Sequence, residues 1–458
     1  MRRTDRSPRP PGVRRPAAAF RAFSATIVWL LCLGATAARL AADDWPNWRG
    51  PHRDAICRET GLLQEWPPEG PTLLWKATGL GVGYSGPAIV GTTLYTMGNL
   101  DGQEHVLALD TTTGKRLWAK PFGPVEYVGY CPGTRATPTI DGHRLYALGT
   151  SGRLVCIDRH SREILWRKSF LDDFDAQVIA SEYAQSLRGR LVQSKEPDAP
   201  GGVKWGFSES VLLDGDRLLC TPGGPDATLA ALDKRTGRVV WTSKIDARAG
   251  YASMVKAVLA GVPQYVQLTA DGVVGVDARD GKLLWRYDAP AYPKYGGINI
   301  ATPIVSGDTV FAATGYNVGG GLARIQKTPQ GLAAREVYFT GDMKNHHGGL
   351  ILLDGYLYGT NDPGILTCLE YATGRVMWRS RKPGKCSLLY ADRMLYCRDE
   401  KGPLTLVQAT PDGFELHGQF DQPDRSKQKA WPHLVIAHGQ LYVRDQDVLL
   451  CYDVRAGE

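Results

Sequence analysis

The chain has 458 residues, of which 43% are hydrophobic, so it has enough apolar material for a buried core and is not a disordered or collagen-like protein. The formal net charge of +7 comes from one segment, because residues 1–42 alone carry eight Arg and one Asp. The rest of the chain is formally neutral, which argues against a protein that binds nucleic acid or a membrane surface.

Residues 1–42 are predicted to be a signal peptide. An Arg-rich start precedes an apolar stretch at 22–33 and small residues at 35–38, which is the order of a secretory signal. The residue before Cys32 is large, whereas a lipid-modified Cys usually follows a small one. We therefore expect a cleaved, soluble form in the periplasm or outside the cell. An Arg pair in the leader leaves both the general secretory and the twin-arginine routes open. Beyond the leader, no run is long and apolar enough to span a bilayer.

Residues 43–71 are rich in Trp and Pro and are predicted to pack on the single domain that follows, residues 72–458. A unit recurs through this domain: a small residue, an apolar residue and Asp or Glu, then Gly and a run that ends in Trp. Trp118 lies 48 residues before Trp166, a spacing typical of propeller blades. The repeated residues are Trp75, Trp118, Trp166, Trp241, Trp285 and Trp378, and Asp110, Asp158, Asp233, Asp277 and Asp453. The Asp and the following Gly are predicted to hold hairpin turns.

The last copy of the unit is divided between the two ends of the chain. The sequence from Leu450 to Glu458 stops halfway through a unit whose missing tail occurs as Leu73-Leu74-Trp75-Lys76. A ring completed by strands from both termini has no exposed sheet edges. Two weak copies, at 298–339 and 387–420, add to the count. The predicted fold class is all-β: an eight-bladed propeller of four-stranded antiparallel sheets, with seven blades as the alternative.

Two further features depart from a plain ring of repeats. The copy after Trp166 carries an insertion at about 170–204, in which residues 172–193 are predicted to form a helix. Most cysteines beyond the leader stand where other copies have Ala or Gly. These positions are predicted to be tight packing sites and not a disulfide framework.

The repeated unit resembles the tryptophan-docking repeat of the pyrroloquinoline-quinone-type (PQQ-like) propellers, over roughly residues 45–458. This superfamily includes quinoprotein alcohol and glucose dehydrogenases as well as non-catalytic BamB-like propellers. The segments Asp44-Trp45-Pro46-Asn47-Trp48-Arg49-Gly50-Pro51 and Asn345-His346-His347-Gly348-Gly349 are similar to secreted members of unassigned function. The resemblance implies eight blades, with each Trp docked between neighbouring blades. It does not by itself choose between enzyme and scaffold.

Residues that lead into the first strand of each blade should meet around the axis of a propeller. They are far more polar and aromatic than the strands they introduce. The predicted ligand-binding collar at the funnel mouth consists of Tyr84, Arg135, Glu209, Tyr251, Asn299, His346, His347, Trp431 and His433. The alternative interpretation is that these polar residues bond to ordered water and to each other and bind no ligand. The two adjacent histidines are not a metal signal, because neighbouring residues on a strand point to opposite faces.

Three functions remain open. An exported, non-enzymatic scaffold for other exported or envelope proteins is favoured, with no catalytic residues, no metal and no cofactor expected. The first alternative is a dehydrogenase of alcohols or sugars that uses PQQ and calcium. The adjacent Cys pair of the alcohol-oxidising branch is missing, and Glu209 and Asn299 are the candidate calcium ligands. The second alternative is a binder of a small molecule or glycan at the collar.

Overall fold

A computed structural model describes residues 44–126, 131–176, 178–180, 191–193, 205–245, 247–292 and 298–457, with the backbone alone for 178–180 and 191–193. The described residues lie in one compact unit. The predicted signal peptide, including Cys32, and most of the predicted insertion lie outside the described residues.

Eight of the sheets formed by the described residues are blades, which we number in chain order. Two strands precede them, Ile56–Cys57 (β1) and Thr72–Ala77 (β2). Blade 1 is Ala88–Val90 (β3), Thr93–Leu100 (β4), Gln103–Asp110 (β5) and Arg116–Pro124 (β6). Blade 2 is Thr139–Asp141 (β7), Arg144–Leu148 (β8), Arg153–Asp158 (β9) and Ile164–Ser169 (β10). An insertion with Phe170–Asp173 (α1), Val178–Ala180 (β11) and Leu191–Gln193 (β12) follows.

The remaining blades follow the same order from the inner to the outer strand. Blade 3 is Leu212–Asp214 (β13), Arg217–Cys220 (β14), Leu229–Asp233 (β15) and Val239–Ser243 (β16). Blade 4 is Val255–Leu259 (β17), Val262–Leu268 (β18), Val273–Asp277 (β19) and Leu283–Tyr287 (β20). Blade 5 is Ile304–Ser306 (β21), Thr309–Thr314 (β22), Gly319–Thr328 (β23) and Gly331–Thr340 (β24). Blade 6 is Asn345–Leu353 (β25), Tyr356–Asn361 (β26), Ile365–Glu370 (β27) and Val376–Ser380 (β28). Blade 7 is Cys386–Ala391 (β29), Met394–Asp399 (β30), Leu404–Gln408 (β31) and Leu416–Phe420 (β32). Blade 8 contains Val435–Ala437 (β33), Gln440–Asp445 (β34) and Val448–Asp453 (β35).

The all-β, eight-bladed prediction is confirmed, and the seven-bladed alternative is set aside. Blade 8 has the strand order β2-β35-β34-β33, so its outermost strand comes from the beginning of the chain. Strand β2 runs antiparallel to β35, with Trp75 opposite Cys451. The ring is thus closed by strands from both ends of the described chain, as the divided repeat predicts.

The repeated Trp residues lie at the interfaces between blades. Trp75 of blade 8 donates its indole N–H to the Thr111 carbonyl of blade 1 over 2.8 Å. Its ring covers Gly114 so closely that a Cβ there would lie 2.5 Å from the ring. Trp166 covers Gly237 of blade 3 in the same way. In the weak fifth copy, Tyr338 takes the place of Trp and covers Gly374 of blade 6.

Trp285 differs from this pattern. Its indole N–H is bonded to the side chain of Gln264 in its own blade, and its ring lies on Gly275, also in its own blade. The reason lies in blade 5, the next blade, on which Trp285 would dock. Its strands β23 and β24 are ten residues long, and blade 5 lacks the tight Asp-to-Gly turn that the other repeated Trp rings cover. Docking of this Trp on a turn of the next blade, as the resemblance implies, is therefore not found.

Three of the repeated Asp residues hold the turns between the third and fourth strands, whereas Asp277 and Asp453 each accept one main-chain bond, from the residue two positions later. Asp110 accepts hydrogen bonds from the main-chain N–H groups of Thr112 and Thr113, at 3.0 and 2.8 Å. Asp158 and Asp233 accept equivalent bonds from the residues two and three positions later. Hydrogen bonds from Thr113 lower the pKa of the Asp110 carboxyl group. These acids therefore serve the backbone and leave function to positions where the blades differ.

The buried cysteines follow from the same packing. The residue opposite each repeated Trp across the outer strand pair is Ala, Gly or Cys, because the indole leaves room only for a small side chain. Three of these cysteines are Cys156, Cys368 and Cys451. Among the described residues, every Cys is buried and has a free thiol.

Where the structure describes the insertion after blade 2, it differs from the predicted helix over most of its residues. Helix α1 ends at Asp173, while β11 and β12 run parallel to each other as a separate two-stranded sheet. Val178 and Ile179 are β-branched and favour a strand over a helix. The prediction of a helix over 172–193 is therefore wrong at 178–180 and 191–193, where the structure has strands, although α1 includes residues 172 and 173.

Residues 44–57, which we call the plug, lie inside the ring. Trp45 pairs with Ile89 of β3 through two main-chain hydrogen bonds of 2.9 and 2.8 Å. Strand β1 at the end of the plug pairs in parallel with β29 of blade 7. Since β3 and β29 are innermost strands, the plug uses edges that face the central channel. It satisfies main-chain groups that would otherwise line an open pore.

Candidate functional site

A cavity of about 370 Å³ lies on the axis, at the end of the ring where the innermost strands begin. Its floor is made by Trp48 and Arg49 of the plug, so the channel is converted into a cup. Its described lining residues are Trp48, Arg49, Tyr84, Arg135, Trp205, Ser208, Tyr251, Ser253, Ile298, Ile300, Ala301, Thr302, Tyr316, His346, His347, Gly349, Lys385, Glu400, Lys429, Trp431 and His433. The size is in the range of sites for small organic ligands.

The structure brings most of the predicted collar residues together. Those that line the cavity are Tyr84, Arg135, Tyr251, His346, His347, Trp431 and His433. Glu209 and Asn299 do not line it. In the segment that leads into blade 3, neighbouring side chains point in opposite directions, so Ser208 faces the cavity and Glu209 faces the interior of its blade. Whether the seven lining residues bind a ligand remains a prediction.

Glu209 and Asn299 instead hold the backbone behind the collar. Glu209 is buried and accepts a hydrogen bond from the Thr221 main-chain N–H, and burial raises the pKa of its carboxyl group to about 7. The Asn299 amide donates to the carbonyls of Thr269 and Ala270, at 2.7 and 2.9 Å. Both side chains are thereby committed to main-chain groups and turned away from the axis.

The two adjacent histidines face the same cavity, contrary to the prediction that they point apart. The pairing of β25 with β26 shifts register between Asn345 and Leu350. This irregularity interrupts the alternation of side chains along the strand. The rings of His346 and His347 are 5.3 Å apart, with their planes at 61°.

Aromatic rings form much of the wall. Tyr84 and Trp431 lie 5.1 Å apart on one side, with their planes at 41°. Trp205 and Tyr251 lie 5.9 Å apart on another, at 39°. At the floor, the ring of Trp48 lies 4.5 Å from that of His433. The wall is therefore a set of tilted apolar faces with polar edges.

The lining carboxylate of Glu400 is held by three donors. His347 Nε2 lies 3.1 Å from one oxygen, Lys429 Nζ lies 2.9 Å from the other, and the Trp431 indole donates over 3.2 Å. The hydrogen bond from His347 is the largest of several contacts that lower the pKa of Glu400 well below its usual range. Glu400 is thus an ionised acceptor that fixes its neighbours.

Two histidines of the cavity, His346 and His433, are neutral at physiological pH. Burial lowers the pKa of His346 to about 2, and burial together with the nearby Arg49 guanidinium lowers that of His433 to about 3. His433 Nε2 lies 3.0 Å from the main-chain carbonyl of His347, so this nitrogen carries the proton and donates it. Neither ring supplies a charge to the site.

Arg49 places a buried positive charge at the floor. Its side chain is 3% exposed and donates to the main-chain carbonyls of Arg53, Asp54 and Leu350. Its Nη1 atom has no hydrogen-bond partner among the described residues. Burial lowers the pKa of the guanidinium to about 10, so it remains protonated at neutral pH.

Seven of the 21 described lining residues belong to the predicted collar, and the other fourteen were not predicted. The missed aromatic and charged residues are Trp48, Arg49, Trp205, Tyr316, Lys385, Glu400 and Lys429. Lys385 stands directly before β29, in the position from which collar residues were chosen. The plug residues were assigned to packing alone. Glu400 lies in the turn after β30, and only the path of blade 7 brings it to the axis.

Within the described ranges, no group of three His, Cys, Asp or Glu side chains is arranged to hold a metal ion. No helix in the same ranges combines the length and the apolar character that crossing a membrane requires.

Comparison with known proteins assigns the family. A family model described as "Outer membrane protein assembly factor BamB" matches residues 72–193 and 102–380, with overlapping ranges as expected of a repeat. The chain belongs to this family. The resemblance to the PQQ-like propellers is thereby confirmed.

The members and relatives of the BamB family are distant in sequence. Outer membrane protein assembly factor BamB of Shewanella oneidensis is 21% identical over 303 residues, which are 64% of this chain and 68% of that protein. Serine/threonine-protein kinase AfsK of Streptomyces griseus is 27% identical over 202 residues, but the chain spans only 21% of its length. The crystal structure of BamB from Moraxella catarrhalis is 14% identical, with a TM-score of 0.51, and the match covers 78% of this chain and 95% of that one. At this identity the structural likeness shows the fold alone.

Proposed function

We propose that this protein is an exported binding scaffold of the BamB family that catalyses no reaction and recognises a ligand at the mouth of its central channel. The observation that carries the proposal is the cup on the axis, whose lining offers aromatic faces and hydrogen-bonding groups while its carboxylate is already bonded to three donors. Such a lining binds, but it holds no group ready to accept a substrate proton.

The state of the ionisable groups supports a role without catalysis. An acid–base catalyst works best with a pKa near the working pH. The pKa of Glu400 is lowered by its hydrogen bond from His347, and the pKa of His346 is lowered to about 2 by burial. Glu209 has a pKa raised towards neutrality, but its carboxyl group faces the interior of blade 3 and not the cavity.

The alternative of a quinone- and calcium-dependent dehydrogenase fits the described residues poorly. Calcium prefers six to eight oxygen ligands, several of them from carboxylates. Glu209 and Asn299, the candidate calcium ligands, bond main-chain groups away from the cavity. Glu400 is already paired with Lys429. We therefore propose that no quinone or calcium is bound.

A second candidate role is contact with other proteins of the cell envelope. The relatives from Shewanella oneidensis and Moraxella catarrhalis carry the name BamB, which for the first reads outer membrane protein assembly factor. This naming supports placing the present chain in the periplasm or outside the cell, with envelope or exported proteins as partners. The formal neutrality of the chain beyond residue 42 argues against nucleic acid as a partner.

The dehydrogenase assay tests the absence of catalysis. Purified mature protein, incubated with PQQ and calcium, is expected to show no dye-linked oxidation of alcohols or aldoses above a protein-free control. Turnover that is lost in Glu400→Gln, with Lys244→Gln as a fully active control, would instead make the cup an active site.

A further inference from the structure

The shape of the cup limits what it accommodates. Its aromatic faces come from several directions around the axis, with neighbouring planes tilted at 41° and 39°. Aromatic rings tilted in this way can contact the C–H groups on the faces of a compact saturated ring. They leave the hydroxyl groups at the edge of such a ring free for hydrogen bonds. The cavity of about 370 Å³ admits one or two such rings. Ser208, Ser253 and Thr302 place hydroxyl groups between the aromatic faces.

The charge of the lining is unbalanced. Among the described lining residues, four side chains are cationic and one carboxylate opposes them. The cations are Arg49, Arg135, Lys385 and Lys429. Lys429 pairs with Glu400 at 2.9 Å, and Lys385 pairs with Asp362 at 2.8 Å, from outside the lining. The cup therefore attracts an anion.

Arg49 places a buried positive charge at the floor of the cup. Burying a guanidinium is costly, and this one is held by hydrogen bonds to main-chain carbonyls, while the carboxylate of Asp54 acts on it through space without a hydrogen bond. A Cβ on Gly349 would lie 2.1 Å from Arg49 Nη1, so the glycine leaves the space that this unpartnered nitrogen occupies. Because Arg49 lines the cup, its charge would stabilise an anion bound there.

We infer that the cup binds an acidic sugar, a pyranose ring that carries a carboxylate, as in uronic acids and their short oligomers. The ring lies against the aromatic faces, and the carboxylate is attracted to the cations of the lining. This inference rests on the proposed role as a ligand-binding scaffold and names the ligand class of the same site.

The test measures binding of D-galacturonic acid and its disaccharide by calorimetry, and by the fluorescence of the lining tryptophans, at low ionic strength. D-galactose is the neutral comparison, since it differs at one carbon. The uronate is expected to bind at least about tenfold more tightly, the value of one charge-assisted hydrogen bond. Its affinity is expected to fall as salt is raised, while that of galactose stays constant.

Two variants locate the effect. Lys429→Gln is expected to weaken uronate binding about tenfold, because it removes a cation and leaves the Glu400 charge exposed to the ligand. The matched control is Lys244→Gln, which removes a Lys that forms an ion pair with Asp226. This pair is largely exposed on blade 3. Arg135→Gln is a second cavity variant, and circular dichroism of each variant confirms folding.

The outcomes separate the two proposals. Equal affinity for uronate and galactose, no binding of either, or equal losses in Lys429→Gln and Lys244→Gln would each overturn the acidic-sugar inference. Such results leave the scaffold role intact if the quinone assay remains negative. Dye-linked turnover overturns the scaffold role, whichever sugar binds.

Discussion

Closure of the ring depends on the contact between Trp75 and Gly114, and a single methyl group tests it. Gly114 has a φ of +69°, and an added Cβ would lie 2.5 Å from Cε3 of Trp75. Trp75 belongs to β2, the strand that the beginning of the chain contributes to blade 8, while Gly114 lies in the turn before β6 of blade 1. Gly114→Ala therefore disturbs the junction at which the two ends of the ring meet.

The expected cost has two parts. A left-handed φ costs a residue with a Cβ about 1–2 kcal/mol. Forcing a methyl group into a filled contact adds about 1–3 kcal/mol. Gly114→Ala should thus lower the free energy of unfolding by about 2–5 kcal/mol. Gly215→Ala is the control, because Gly215 has a φ of +56° and nothing within 4 Å of the added Cβ. It should cost about 1–2 kcal/mol, from the backbone alone.

A double-mutant cycle identifies the indole as the cause. Trp75→Ala alone should cost about 3–5 kcal/mol, since it opens a cavity and leaves the Thr111 carbonyl without its 2.8 Å bond. With the indole gone, adding Gly114→Ala should cost no more than Gly215→Ala. The measurement is urea unfolding followed by circular dichroism. Equal costs for Gly114→Ala and Gly215→Ala in the native background would refute the reasoning, as would an unchanged Gly114→Ala cost in the Trp75→Ala protein.

Three further predictions concern the ends of the chain and one buried acid. Deletion of residues 448–458 removes the strand between β2 and β34, so light scattering should show aggregation and cooperative unfolding should be lost, whereas a truncation after Ala456 should unfold normally. Because folding raises the pKa of Glu209 from 4.5 to about 7, its proton stabilises the folded state at low pH, and up to about 3 kcal/mol is lost as pH rises from 4.5 to 7. Glu209→Gln should lose this part of the pH dependence in unfolding titrations, and identical slopes for the two proteins would contradict the assignment. Mass spectrometry of the exported protein should find a new N-terminus between Ala37 and Asp43, and retention of the leader or a lipid on Cys32 would contradict export as a cleaved, soluble form.

The repeat was readable from the sequence because its determinants are local. Asp110, Asp158 and Asp233 each bond main-chain N–H groups two and three residues later, so the turn carries its own signature. The small residue opposite each Trp is set by contact with that ring, and it recurs wherever the ring recurs. Even the weak fifth copy was recognisable, since Tyr338 takes the place of the Trp. Closure also followed, because an unfinished unit at one end matched a fragment at the other.

The collar was only partly readable. The sequence identified which residues lead into the blades, but it did not show which of them face the cavity. The side chains of Glu209 and Asn299 point into the blades, away from the axis. A register shift in β25 turns both His346 and His347 towards the axis. Neither outcome has a local signature, because the choice of face depends on how each segment pairs with its neighbours.

The floor and the charge of the cup were decided by tertiary structure alone. Trp48 and Arg49 stand far from the collar in sequence, and they reach the axis because the plug pairs with the open edges of innermost strands in blades 1 and 7. Glu400 joins the lining from a turn that the repeat assigns to no function. Sequence periodicity determines contacts within a blade and between neighbouring blades, since these recur with the unit. The site on the axis gathers single residues from many blades and from the plug, and only closure of the ring brings them within reach of one another.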